Sequence, residues 1–367
     1  MEEQFKMRLE RLKNDSFLDV LRMMAPGTSL REGLENILKA KTGALIVIGD
    51  SPEVIKIVDG GFTINKPYTS SHLYELAKMD GAIVVSKDLK VILYANALLI
   101  PDAAIVTTET GTRHKTAERF AKQTGEIVLC ISQRRNVITL YKDNKKYILR
   151  DTSTILTRAN QALQTLEKYK SVLDAGIKNL NVLELEDIVT LNDVAYVIQR
   201  TEMVMRIVDE IDRYICELGN EGRLISMQLE ELLQNVENNV WLVIEDYQIK
   251  KEGQNTNDIV KQLRNLSNDE LVDLAIVAKL LGFSGTGVSL DTAVSPRGYR
   301  MLSRLPKLPV TIMKNIIGEF QNLQGVIKAS IEDLDKVEGI GEVRAKSITE
   351  GLSRIKEQTI MDKRSMY

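Results

Sequence analysis

Two short stretches of the chain hold the residue types that do chemistry on phosphates. Glu109–Lys122 reads ETGTRHKTAERFAK and sets Arg113, His114 and Lys115 just before an amphipathic helix that the sequence predicts to begin near Thr116. Cationic donors beside the free N–H groups of a helix start make an anion site, and phosphate is the anion that fits best. The second stretch, Lys78-Met79-Asp80-Gly81-Ala82, puts a carboxylate and a glycine at the mouth of the apolar strand Ala82–Val85. A carboxylate beside a polyphosphate calls for a divalent metal to offset the two like charges. Together they predict a nucleotide site.

Each residue also has a plainer reading. Asp80-Gly81 is ordinary turn chemistry when taken without the cations downstream. His114 is one of two histidines, and a lone histidine is often a structural hydrogen-bonder. Lying between two cations, its pKa should be depressed unless an anion is bound, which favours a phosphate or metal ligand over a general base. His72 is read as structural. Thr112 and Thr116 are phosphate donors or helix caps. Ser132, Arg134 and Arg135 follow the strand Ile127–Ile131, at the end of a strand where α/β sheets bind ligands; the alternative is a solvated basic turn. Ser132 and Arg135 are assigned to a triphosphate. Glu118 and Arg119 read as a helix-surface pair. Gly111 to Thr116 echoes a phosphate loop, but His114 occupies the position of the required glycine, which excludes a Walker-type ATPase.

The elements that must hold these residues follow from periodicity. Phe5–Met24 reads as a helix ended by Pro26-Gly27, and Thr28 or Ser29 caps a second helix bearing Leu30, Leu34, Ile37 and Leu38. Short β-branched segments then take over at Ala44–Ile48, Phe62–Ile64, Ala82–Val85, Val91–Tyr94, Ile127–Ile131, Val137–Tyr141 and Tyr147–Leu149. Helices at Ser70–Met79 and Thr116–Gln123 fall between them. Uninterrupted apolar strands such as ALIVI and IVLCI predict a mixed sheet flanked by helices on both faces. This α/β domain is expected to occupy residues 1–150.

From Ser153 onward the pattern is helical. Ile155, Ala159, Ala162, Leu166, Tyr169, Leu173, Ile177 and Leu180 form one seam, and Val194–Leu218 and Leu224–Tyr247 repeat the style around Gly219 and Gly222. Residues 151–303 are read as an all-α spine without a catalytic constellation. Charge follows the same division. Residues 1–150 carry 23 Lys/Arg against 18 Asp/Glu, residues 151–303 carry 15 against 24, and residues 304–367 carry 11 against 9. The ends can meet polyanions and the middle repels them. Cys130 and Cys216 lack metal-ligand spacing, and no apolar run reaches the ~20 residues of a membrane helix. A reducing cytoplasm and no membrane association are expected.

The tail, residues 304–367, carries the other strong signal. Ser330 and Asp333 form a capping box for a short helix. Glu338-Gly339-Ile340-Gly341-Glu342 follows, then a helix with Ala345, Ile348 and Leu352 inward. Glycines let the turn approach a phosphate, the next helix aims its N–H groups at it, and Arg344 and Lys346 add charge.

These motifs carry a resemblance. Asp-Gly-Ala, followed some thirty residues later by Gly-Thr-Arg-His-Lys-Thr-Ala-Glu-Arg, is similar to the paired signature of bacterial diadenylate cyclases. That family shows Arg-His-Arg where this chain has Lys115, which keeps the charge and loses the bidentate fork. The tail resembles the helix-hairpin-helix module that binds DNA without reading sequence, an all-α domain. The order of cyclase signature, helical middle and hairpin tail resembles, over the full length, the DNA-integrity-scanning branch of the cyclases.

The resemblance implies condensation of two ATP into cyclic di-AMP with Mg2+ or Mn2+. Asp80 and His114 would hold the metal, with Asp80, Arg113 and His114 catalytic. Gly81, Leu99, Thr112, Arg113, His114, Lys115, Thr116, Ser132 and Arg135 would bind ATP, and Gly339, Ile340, Gly341, Arg344 and Lys346 would bind DNA. It further implies a homo-octamer with facing cyclase domains, suppression by branched DNA such as a Holliday junction, and a cytoplasmic, nucleoid-associated protein. A rival reading is a non-catalytic sensor of DNA structure whose first domain only binds a nucleotide. A structure-selective nuclease lacks an acidic metal cluster in the first domain.

Overall fold

The computed structural model describes residues 16–233, 236–249, 255–285 and 287–365. Two compact units divide the chain. Among the described residues, one comprises those up to Asn160 with Asp212–Ser226, and the other comprises Gln161–Ile211 and those from Met227 onward. The part of the expected Phe5–Met24 helix before Ser16 lies outside the described residues; its remainder is Ser16–Met23.

The first unit is built on an eight-stranded mixed sheet in the order β2-β5-β4-β1-β6-β7-β8, with β3 also paired to β5. The strands are β1 Ala44–Ile48, β2 Val58–Asp59, β3 Phe62–Pro67, β4 Ala82–Val85, β5 Val91–Leu99, β6 Ile127–Ser132, β7 Val137–Lys142 and β8 Lys145–Leu149. Among the described residues β1 and β4 are the parallel pair, and the remaining neighbours are antiparallel. Because side chains alternate across a strand, the apolar runs feed both faces. Ile46, Ile48, Ile83, Val85, Leu129 and Leu140 pack with the helices Ser29–Lys39 and Ser70–Leu76. Leu45, Val47, Ala82, Val84, Val128, Cys130 and Tyr141 pack with Ala117, Phe120 and Ala121 of the helix Thr112–Thr124. Both faces are covered, as the sequence predicts. Thr28 is the residue that caps Ser29–Lys39, accepting from the Arg31 N–H. The helix Pro52–Ile57 and the two-residue β2 are additions to the expected list.

One boundary moves. The helix expected near Thr116 starts at Thr112, with Gly111 as its N-cap. Nothing between Thr112 and Thr116 breaks a helix, and the Lys115 N–H already donates to the Gly111 carbonyl at 2.8 Å. Arg113, His114 and Lys115 therefore occupy the first turn itself, not the segment before it.

The second unit is helical. The expected spine helix extends over Thr152–Glu186, and its C-terminal part belongs here with Val236–Tyr247. The seam holds at Leu166, Leu173 and Leu180, each nearly inaccessible, whereas Tyr169 is exposed and Leu163 is buried where Ala162 was expected. The expected run Leu224–Tyr247 is two helices, Arg223–Leu232 and Val236–Tyr247. Arg300 is buried against Glu184, and the Asp246 carboxylate accepts the N–H groups of Gly298, Tyr299 and Arg300 at 2.7, 2.6 and 3.0 Å. This capping fixes the entry to the last domain. Burial and the nearby Glu184 push the Asp246 carboxyl up to about 7.

The last domain contains a repeat. Helix Ile331–Asp335, the Glu338–Gly341 hairpin and helix Glu342–Ser365 form the expected helix-hairpin-helix. Helix Tyr299–Leu302, the segment Leu305–Pro309 and helix Val310–Phe320 form a second one. Leu302, Leu305, Met313 and Ile316 are buried in the first copy where Leu334, Val337, Ala345 and Ile348 are buried in the second. The backbone bonds match too: Leu305 N–H to Leu302 and Met313 N–H to Pro309 correspond to Val337 N–H to Leu334 and Ala345 N–H to Gly341. Lys307 has φ +60°, where its counterpart Gly339 has φ +82°. All these side chains belong to one core.

Candidate functional site

An open cleft of about 590 Å³ lies in the sheet unit between the ends of β4, β5 and β6 and the start of the Thr112–Thr124 helix. Gly81, Leu99, Thr112, Arg113, His114, Thr116 and Ser132 all line it. Asp80, Lys115 and Arg135 are not among its lining residues, although Asp80 is chain neighbour to Gly81 in the exposed turn before β4. Arg134 and Gln133 line it instead of Arg135, whose backbone N–H donates to the Ser132 hydroxyl at 3.2 Å in the β6–β7 turn. Leu45, Ala97 and Cys130 form apolar floor. Burial pushes the Cys130 thiol up to about 12, so it is an inert wall.

Two features of the backbone explain the cleft. Gly81 has φ +87°, and a Cβ there would lie 2.8 Å from the Asn96 carbonyl carbon of β5. Only glycine allows that approach. Gly111 offers no side-chain cap to the Thr112–Thr124 helix. The first-turn N–H groups are thus left for an anion, with the positive end of the helix dipole behind them. Neither Thr112 nor Thr116 is the cap, which frees both hydroxyls.

Arg113 is steered by a residue the sequence gave no reason to notice. A Cβ on Gly43 would stand 2.1 Å from Arg113 Nη1 and 3.3 Å from the Ile131 carbonyl oxygen. The guanidinium therefore lies in the groove that this glycine leaves open. His114 places Nδ1 2.8 Å from the Tyr141 hydroxyl, while its Nε2 is buried with no hydrogen-bond partner. Burial lowers the His114 pKa, helped by Arg135, Lys146 and Arg113 and opposed by Glu109. Burial would raise the Glu109 carboxyl, but Lys146 and the Tyr141 hydroxyl outweigh it and hold the group below its ordinary value.

Glu118 and Arg119 do not pair with each other. The Glu118 carboxylate accepts from the Thr107 hydroxyl and from the Thr108 N–H, and Arg119 Nε donates to the Ile105 carbonyl at 2.9 Å. With Lys122 on the Val106 carbonyl at 2.9 Å, they tie down the loop that ends in Glu109. His72, read as structural, has Nδ1 3.0 Å from the Pro67 carbonyl.

Among the described residues no three His, Cys, Asp or Glu side chains gather as a metal cage. Asp80, chain neighbour of the lining Gly81, and the His114 imidazole in the cleft wall are the two groups that would contribute to a metal's shell. That suits a cation carried mainly by a polyphosphate, since Mg2+ is typically bound through one or two carboxylates plus substrate phosphates.

In the tail, Gly339, Ile340 and Gly341 form the expected hairpin. Arg344 turns back to donate to the Gly339 carbonyl, and Lys346 pairs with Glu342 at 2.8 Å. Both hairpins line a common cleft of about 710 Å³ that includes Pro306, Lys307, Gly341, Val343 and Arg344. The first copy escaped the sequence reading because Lys307 and Pro309 stand where Gly339 and Gly341 mark the second. No described helix is long and apolar enough to cross a membrane.

Comparison with known proteins agrees with this geometry. Residues 31–146 match the family described as DisA bacterial checkpoint controller nucleotide-binding, residues 149–290 match its linker region, and residues 322–351 match the helix-hairpin-helix motif. The chain is 62% identical over 358 residues to the DNA integrity scanning protein DisA of Acetivibrio thermocellus, covering 98% of this chain and 99% of that one. It is 58% identical to the proteins of that name from Clostridium botulinum (strain Loch Maree) and Clostridium kluyveri, covering 97% of this chain in each case and 100% and 99% of theirs. These matches place the chain among the nucleotidyltransferases of the diadenylate cyclase class. Within that class, the chain belongs to the DNA integrity scanning protein DisA family.

Proposed function

We propose that the cleft is the half-site in which one ATP is held for condensation with a second ATP on a facing subunit. The supporting observation is the convergence of an uncapped helix start, Arg113, His114, Ser132 and the strand-end Gly81 on one concavity. In this reading the Thr112–Thr124 N-terminus, Thr112, Thr116 and Ser132 take the triphosphate, and Arg113 stabilises charge at the reacting phosphorus. Lys115, Arg134 and Arg135 add long-range attraction for it. Gly81 and Leu99 take the adenosine side. Asp80 holds the divalent cation and orients the ribose 3′-hydroxyl, with His114 as a second ligand. A divalent cation belongs to this chemistry; its identity as Mg2+ or Mn2+ is part of the proposal.

The product is symmetric, so each 3′-hydroxyl must attack the other nucleotide's α-phosphorus with loss of pyrophosphate. An isologous pair of clefts supplies that arrangement, and placement alone can contribute ~7–11 kcal/mol. The homo-octamer, cytoplasmic and nucleoid-associated, and the limits 1–150, 151–303 and 304–367 for cyclase, spine and hairpin domain, belong to the same reading. The paired hairpins, with Gly339 to Gly341, Arg344 and Lys346 in one and Lys307 in the other, would grip the backbones of branched DNA such as a Holliday junction and thereby restrain synthesis. Several weakly charged tails on one assembly gain effective concentration.

Gly43→Ala tests the placement of Arg113 without touching a proposed ligand. The clashing atom is the tip of a flexible side chain, so the protein should fold with a stability change under about 1 kcal/mol. Cyclic di-AMP formation should fall ~100-fold through displacement of the guanidinium. A wild-type rate in this variant would remove Arg113 from the reacting centre.

A further inference from the structure

Beneath the first turn of the Thr112–Thr124 helix, four side chains form a hydrogen-bonded row that no comparison assigns a role. Tyr141 on β7 and Lys146 on β8 are register partners. Lys146 Nζ pairs with Glu109 Oε1, the Tyr141 hydroxyl donates to the same oxygen at 2.9 Å, and His114 Nδ1 lies 2.8 Å from the Tyr141 oxygen. Tyr141 and Glu109 are buried, at 1% and 9% exposure. A phenol has one hydrogen to give. With an ammonium group on Glu109, that hydrogen goes to the carboxylate, and the phenol oxygen can then only accept from the imidazole. The ring proton is therefore on Nδ1. In a neutral ring Nε2 is left bare, and Nε2 is the atom that is buried without a partner.

We propose that Glu109 and Tyr141 are positioning residues that hold His114 in its Nδ1–H form, so that Nε2, closed to solvent in this structure, keeps the lone pair that a divalent cation would take on entering the cleft. The inference rests on the reading of His114 as a metal ligand and selects it over the alternative of a phosphate donor, because a bare nitrogen has no hydrogen to donate. Partners of this kind on the far side of a ligating histidine fix its tautomer and orientation.

The test uses the full-length protein labelled with 15N-histidine, where two histidines make the spectrum assignable through His72→Gln. Solid-state 15N spectra at about pH 8, above the ordinary histidine pKa, should show His114 protonated at Nδ1 and bare at Nε2. Tyr141→Phe should lose that preference, and Glu109→Gln tests the same row should Tyr141→Phe fail to fold. Mg2+ with a non-cyclising ATP analogue should move the Nε2 resonance in the wild type. In kinetics, Tyr141→Phe should raise the metal concentration for half-maximal rate ~10–100-fold. A wild-type Nε2–H ring, or an unchanged tautomer in both variants, overturns the proposal. An Nδ1–H ring whose Nε2 resonance ignores Mg2+ and nucleotide overturns the ligand role while leaving the tautomer lock standing, which separates the two failures.

Discussion

Asp80→Asn should reduce cyclic di-AMP formation by more than ~100-fold with no loss of fold. Asparagine keeps the shape of the side chain and removes the charge that a divalent cation and a ribose hydroxyl would use. Asp80 is exposed in the turn before β4, so its stability cost should stay within about 0.5 kcal/mol. The adjacent Gly81 would fail for another reason, since any side chain there collides with the β5 backbone. Metal dependence separates the roles of Asp80: partial rescue by excess Mn2+ marks a lost ligand, and no rescue marks a lost proton acceptor. The check is the rate of product formation from ATP, with circular dichroism as the control for folding. A wild-type rate would remove Asp80 from the mechanism.

Gly341→Glu should abolish measurable binding to a four-way junction while leaving the cyclase half-site intact. The added Cβ meets nothing within 4 Å, and Gly341 is not among the positive-φ positions, so the hairpin accepts a side chain. A carboxylate at the start of the Glu342–Ser365 helix also suits the helix dipole. Its harm falls on a phosphate approaching the hairpin, and it would be repeated at every tail of the proposed assembly. We expect at least a tenfold loss at one tail, compounded where several bind together. Lys307→Glu asks whether the first hairpin shares the load, and its signature is a salt dependence flatter by about one unit of slope. Undiminished junction binding in both variants would place the DNA contact elsewhere. Such point changes are cleaner than removing Ser330–Tyr367, because the core from Tyr299 to Ile355 is continuous and truncation would expose Met301, Ile316 and Leu323.

Much of the arrangement was legible from periodicity. The strands that feed both faces of the sheet, the capping box at Ser330 and the turn at Gly219 each announce themselves through residue types whose local physics is unambiguous. The site was legible where charge and glycine cluster, at Gly81 and at Thr112 to Thr116. It was not legible where function depends on what lies across the sheet. Tyr141 reads as one more strand aromatic, Glu109 as a loop acid, and Gly43 as a turn residue. Their meaning comes from β7 and β8 bringing Tyr141 and Lys146 together, and from Arg113 crossing above Gly43. The first hairpin was hidden for a related reason. Lys307 and Pro309 in place of Gly339 and Gly341 remove the glycine signature, while the spacing of Leu302, Leu305, Met313 and Ile316 repeats that of Leu334, Val337, Ala345 and Ile348. A search for internal repeats by apolar spacing could have found it.

The most direct trial is mass spectrometry of the full-length protein incubated with ATP and Mn2+, with and without a four-way DNA junction. Two ATP should be consumed for each cyclic di-AMP and two pyrophosphates released, at a rate that drops when the junction is present. ATP recovered unchanged in both arms would contradict the account and leave a nucleotide-binding sensor in its place.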